Sequence, residues 1–122
     1  MPDDSGDEYG DDYGDGLAVV CVTYSPGESL AEFVSSLEKA TSRPYRVVLA
    51  DNGSVDGAPE AAAAADERVE LLRIGENVGY GAAANRAVAG LPAEVGWVLV
   101  VNPDIVFGPG SLDTLVDAGG RW

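Results

Sequence analysis

Histidine is absent from the 122 residues, and cysteine appears once, as Cys21. The first absence excludes histidine acid–base chemistry and histidine-ligated zinc within the chain. The second excludes an internal disulfide and a cysteine zinc cluster, and it fits a reducing compartment. Bases are scarce too: seven Lys/Arg, with Lys39 the only lysine, face 21 Asp/Glu for a formal charge of −14. Nucleic acid is a poor partner for such a surface, because a phosphate backbone asks for a basic face. No apolar run approaches the ~18 residues of a membrane-spanning helix. The N-terminus has neither the basic start nor the apolar stretch of a signal peptide, so the cytoplasm is the default location.

What is present divides the chain in two. Residues 1–16, MPDDSGDEYGDDYGDG, carry seven acids and no base, which is half the net charge. Gly and Asp at this density resist helix and strand, and like charges repel, so the segment reads as an acidic disordered tail. Its Asp-Gly repeats lack the EF-hand spacing and closing Glu of a calcium loop. Beyond it the texture is that of one folded domain, and 46% of the whole chain is hydrophobic.

Leu17–Tyr24 (LAVVCVTY) is a near-continuous apolar run with β-branched residues, the pattern of a strand covered on both faces. Ser25-Pro26-Gly27-Glu28 then reads as a capping box, with Ser25 as cap, Pro26 in the first helical position and Glu28 reaching back. Leu30, Phe33, Val34 and Leu37 recur at helical spacing, which predicts a helix to about Ala40. The unit repeats. Strands are expected at Tyr45–Asp51, Val69–Ile74 and Trp97–Val101, with helices near Ala58–Asp66, Tyr80–Ala89 and Ser111–Ala118. This alternation implies a Rossmann-like three-layer α/β/α fold with a mostly parallel sheet and right-handed crossovers.

Each strand runs into polar residues: Thr23, then Asp51-Asn52, Glu76-Asn77 and Asn102-Asp104. A parallel sheet puts the carboxyl ends of its strands on one edge, where open α/β sheets bind ligands. Every residue there has two readings. Asp51 could accept from the imide N–H of a pyrimidine or from an exocyclic amine, or it could simply cap the turn Asp51-Asn52-Gly53-Ser54. Gly79, Gly81 and Ala82–Ala84 open a helix whose N–H groups favour phosphate, or they allow close helix–sheet packing. Gly79–Ala84 matches G-x-G-x-x-A only weakly, because it follows the third strand rather than the first. A diphosphate here meets few bases, with Arg73 and Arg86 nearest in sequence. A divalent cation would resolve this, with Asp104 as its oxygen ligand; otherwise Asn102-Pro103-Asp104 is a turn into the last helix.

VTYSPGESL, LADNGSVDG, GENVGYGAAANRAV and VVNPDIVFGPGSL, in that order, resemble the donor-binding half of family-2 glycosyltransferases with the GT-A fold. The nearest likeness is to the bacterial rhamnosyltransferases acting on polyprenyl-diphosphate-linked N-acetylglucosamine in cell-wall synthesis. The resemblance covers residues 17–122. It implies that Val22, Thr23 and Tyr24 line a nucleobase and ribose pocket, that Asp51 binds the base beside Asn52, and that Asn77, Gly79, Gly81 and Asn85 shape the loop and helix start beside the nucleotide. Asn102-Pro103-Asp104 takes the place of the family's DxD motif, with Asp104 as ligand to Mg²⁺ or Mn²⁺. The first carboxylate of that motif is Asn102 here, as is common in the rhamnosyl branch.

The implied activity is inverting transfer from a dTDP- or UDP-sugar, dTDP-rhamnose favoured, to a lipid-linked sugar acceptor. A peripheral place at the inner face of the plasma membrane would follow. Family members run on much further, and no acid here matches their catalytic base, so the chain is expected to be a fragment that binds donor weakly and does not turn over. Two rivals compete. VVLADNGSVDG has a faint likeness to receiver modules with Asp51 as phospho-acceptor, but Thr23-Tyr24 stand where such modules keep an acid pair. A non-catalytic nucleotide-binding fragment is the other, with an exposed sheet edge and an uncovered face that both invite aggregation.

Overall fold

Two seven-residue strands, β1 (Leu17–Thr23) and β2 (Tyr45–Asp51), are buried at every position. That is why their sequences show no polar alternation: both faces are covered, so both must be apolar. The structure is a computed structural model that describes residues 16–93 and 95–119. The expected acidic tail therefore lies outside the described residues, apart from Gly16. The remaining strands are β3 (Val69–Arg73) and β4 (Trp97–Val101). The helices are α1 (Ser29–Ala40), α2 (Ala58–Ala65), α3 (Tyr80–Ala89) and α4 (Ser111–Gly119).

The four strands form one parallel sheet in the order β3-β2-β1-β4. The chain winds outward through β1, β2 and β3, then returns past them to place β4 against the free side of β1. The strand order thus reverses between β1 and β4, the switch point at which doubly wound sheets open a crevice. Leu30, Phe33 and Leu37 of α1, Ala62 of α2 and Leu112 of α4 cover one face of the sheet, over Val19, Cys21, Val47 and Leu49. The small residues Ala83, Ala84 and Ala87 of α3 cover the other, over Val20, Val22, Val48 and Ala50. This is the three-layer arrangement expected from the alternating pattern.

One difference from the sequence expectations has a local cause. The capping box does not form. Helix α1 starts at Ser29, its N-cap is Glu28, and no side chain caps it. Gly27 at φ +71 turns the chain between Pro26 and Glu28, and the Ser29 hydroxyl donates to the Pro26 carbonyl at 2.9 Å. Strand β4 carries a partly uncovered face. Its run is WVLVV, and Val98 and Val100 are 45% and 40% exposed. Helix α3 packs over β1 and β2, so the α3-side face of β4 has no cover among the described residues. Among those residues, no helix is long and apolar enough to cross a membrane.

Candidate functional site

Register explains why distant polar residues meet. Thr23 pairs with Asp51, and Asp51 with Arg73, so the last residues of three strands stand side by side. The Thr23 hydroxyl donates to Asp51 Oδ1 at 2.7 Å. The Ser54 hydroxyl also donates to Oδ1, and the Ser54 N–H donates to Oδ2 at 3.0 Å. Burial pushes the Asp51 carboxyl up, but the hydrogen bonds from Ser54, Thr23 and the Gly53 backbone outweigh it and hold the group below the usual carboxylate range. Asp51 is only 3% exposed. Its turn-capping role is thus realised, and an acceptor for a base must use what lone-pair capacity the carboxylate has left.

Asn52 ties the next loop to this edge. Its Nδ2 donates to the Gly79 carbonyl at 3.3 Å, and its Oδ1 accepts from the Val78 N–H at 3.4 Å. Asn77 caps its own turn by accepting from the Gly79 N–H at 2.9 Å. Gly79 sits at φ 91, ψ 162, a region open to glycine alone. Neither Gly79 nor Gly81 serves close packing, since a Cβ at either would meet nothing within 4 Å. Those glycines leave the first turn of α3 open, where N–H groups lack intrahelical partners.

The implied donor-site residues fall into two sets. Val22, Thr23, Asp51 and Asn52 are buried and form the floor and braces. Tyr24, Asn77, Gly79, Gly81, Asn85, Asn102 and Asp104 are exposed, so they can touch a ligand. Asp104 shares the rim with them. Its charge reaches the end of β1, where burial and the Asp104 carboxylate push the Cys21 thiol up to about 12. Asp51 ends β2 and Asp104 follows the carboxyl end of the parallel strand β4, so both are at the same end of the sheet. The nearby bases contribute less than their sequence positions imply: Arg73 pairs with Glu60 at 2.7 Å, and Arg86 lies in the last turn of α3, away from the rim. Among the described residues, no cluster of three or more acids or cysteines could hold a metal by itself.

The profile of glycosyl transferase family 2 matches residues 18–119. The chain belongs to that family. It is 51% identical over 115 residues to N-acetylglucosaminyl-diphospho-decaprenol L-rhamnosyltransferase of Mycobacterium tuberculosis, a match found for two strains. The match covers 87% of this chain and 38% of that relative, so the chain spans about two-fifths of the relative's length. Among solved structures, S. aureus TarS superposes with a TM-score of 0.73 at 20% identity, over 87% of this chain and 20% of that one. TarS 1–349 in complex with UDP gives 0.68 at 24% identity, over 86% of this chain and 31% of that one. At such identities the likeness shows the fold, and the fold is the GT-A N-terminal region.

Sequence reasoning did not single out Ser54 as a partner of Asp51, read Ser25 only as a helix cap, and did not single out Asp56. Ser54 had a signal, since an Asx turn takes its N–H from a residue further along the turn. Ser25 and Asp56 had none, because their partners lie 29 or 30 residues away.

Proposed function

We propose that the chain is the nucleotide-sugar-binding part of an inverting glycosyltransferase that uses dTDP-rhamnose and a polyprenyl-diphosphate-linked sugar acceptor in cell-wall synthesis. One observation carries this reading: four strand ends, separate in sequence, converge at the switch-point edge of a family-2 glycosyltransferase fold. The similarity to a decaprenol-linked rhamnosyltransferase supports the donor sugar and the acceptor class. The UDP complex of TarS supports a nucleoside diphosphate as the ligand of this fold.

Tyr24, 62% exposed beside the buried braces, offers a ring face for the base and ribose. The open first turn of α3 offers N–H donors to the donor's phosphates. Asp104 is one carboxylate, and Mg²⁺ characteristically takes one or two carboxylates together with substrate phosphates and water. The rim therefore fits an Mg²⁺ or Mn²⁺ ion that arrives with the diphosphate, rather than a preformed protein cage. When bound, the ion would neutralise charge on the departing diphosphate, worth several kcal/mol. No residue of this chain is assigned to the acceptor site or as the base that deprotonates the acceptor hydroxyl.

Calorimetric titration with dTDP, UDP and GDP, with and without Mg²⁺, tests the proposal. Binding of dTDP that strengthens with Mg²⁺, and loses that gain in Asp104→Ala, is the expected result. No heat from any nucleotide at millimolar concentration would remove the donor-site reading.

A further inference from the structure

Ser25 is the one non-glycine residue with positive φ among the described residues, at +48. L side chains other than Asn and Asp rarely adopt this conformation, and such outliers persist where surrounding contacts over-determine them. The contacts here run between two loops. The Ser25 N–H donates to Ser54 Oγ at 2.7 Å, and the Ser25 hydroxyl accepts from the Val55 N–H at 3.0 Å. Ser54 in turn donates to Asp51. One turn on, the Gly27 N–H donates to Asp56 Oδ2 at 2.8 Å, while Asp56 Oδ1 accepts from the Ala58 N–H at 3.0 Å. The loop after β1 is thus stitched to the loop after β2 by the exposed side chains of Ser25 and Asp56 and the half-buried side chain of Ser54.

What the stitch presents is Tyr24. It lies between Thr23, fully buried and bonded to Asp51, and Ser25, bonded to Ser54 and Val55. Both neighbours are held, and the ring between them is solvent-facing. We propose that Ser25 is a positioning residue: its left-handed backbone and its hydroxyl lock the two rim loops together and fix where Tyr24 stands to receive a nucleotide. The proposal rests on the donor-site reading for its ligand, while the lock itself is a property of the free chain. It accounts for the strained backbone at Ser25, which a capping role would not need.

Four variants of the full chain test it: Ser25→Ala, Ser25→Gly, Ser25→Asn and Ser54→Ala. Glycine relieves the backbone but removes the hydroxyl, so its melting temperature should stay at or above the parent's while dTDP and UDP bind about fivefold more weakly in Mg²⁺. Alanine should lose both stability and affinity. Asparagine tolerates the left-handed region and offers Oδ1 to the Val55 N–H, so it should bind within about twofold of the parent. Ser54→Ala should weaken binding like the glycine variant. Affinity that simply follows melting temperature across the set, or Ser25→Gly binding as tightly as the parent, would overturn the proposal. Amide exchange at Val55 reads the lock without ligand: slow in the parent and in Ser25→Asn, faster in Ser25→Ala and Ser25→Gly. If the parent binds no nucleotide, the donor-site reading fails, and the lock then stands or falls on whether Val55 exchange separates the variants.

Discussion

Thr23 and Asp51 are the last residues of neighbouring strands, register partners, and joined by a 2.7 Å hydrogen bond from hydroxyl to carboxylate. The bond sits where the ladder between β1 and β2 stops, so it braces the sheet at its functional edge. The Asn52 N–H extends the brace by donating to the Thr23 carbonyl at 2.9 Å. Both side chains are buried, and a buried carboxylate persists only when its oxygens are satisfied.

This brace makes stability depend on pH. The folded state holds Asp51 below its ordinary value of 3.8, so the unfolded chain takes up a proton at higher pH than the folded one. The contribution is complete above the unfolded value and is lost as pH falls through the folded one. Asp66, held down chiefly by its hydrogen bond from Arg68, acts in the same direction. Urea denaturation should therefore show stability flat from neutrality to about pH 5 and falling below it. Asp51→Asn should cost about 1–3 kcal/mol at pH 7 and flatten the acid limb. An unchanged acid limb in that variant would remove Asp51 from the account.

The strand and helix positions were legible because β1 and β2 are buried on both faces and α1 carries its apolar residues at i, i+3, i+4 and i+7. Local pattern and tertiary burial agree there. They part at Ser25, where Ser-Pro-Gly-Glu fits a capping box locally but the hydroxyl finds Val55, 30 residues away. At β4 the apolar run marks the strand, and the partly uncovered face matches the uncovered sheet face expected of the fragment reading. At the site, the sequence placed the strand-end polar residues on one rim but could not separate buried braces from exposed groups. That separation depends on exposure: Asp51 and Asn52 look like ligand groups and are buried at 3% and 4%.

Cys21 should be inert in the folded chain. It is fully buried, and burial together with the Asp104 carboxylate pushes its thiol up to about 12, so thiolate is scarce at ordinary pH. Labelling with a thiol reagent at pH 8 should proceed no faster than unfolding and should become immediate in denaturing urea. Fast labelling of the native chain would mean that the end of β1 opens locally.

Gly79 and Gly81 should respond oppositely to alanine. Gly79→Ala meets no steric obstacle but must hold φ 91, ψ 162, at a cost of about 1–3 kcal/mol. Gly81 lies inside α3, has no positive φ, and leaves open space where a Cβ would sit. Alanine there should raise stability by about 0.5–1 kcal/mol through helix propensity. If Gly81 is kept for a phosphate's approach, the stabilised variant should nonetheless bind nucleotide more weakly. Stability by urea and affinity by calorimetry on the same sample separate the two effects.

The α3-side face of β4 yields the last prediction. Val98 and Val100 stand beside Ala18 and Val20 in register, yet they are 45% and 40% exposed where Ala18 and Val20 are fully buried. Exposed valines contribute little to folding, so Val98→Thr with Val100→Thr should change stability by no more than about 0.5 kcal/mol. Val20→Thr should cost about 1–3 kcal/mol, because its hydroxyl would be buried against apolar neighbours. The same exposed valines belong to β4, a strand paired on one side only among the described residues, a geometry that templates association. The double threonine variant should therefore stay monomeric to higher concentration in sedimentation velocity than the parent. Equal association in both would place the sticky surface elsewhere, with the exposed Leu115 of α4 the next residue to change.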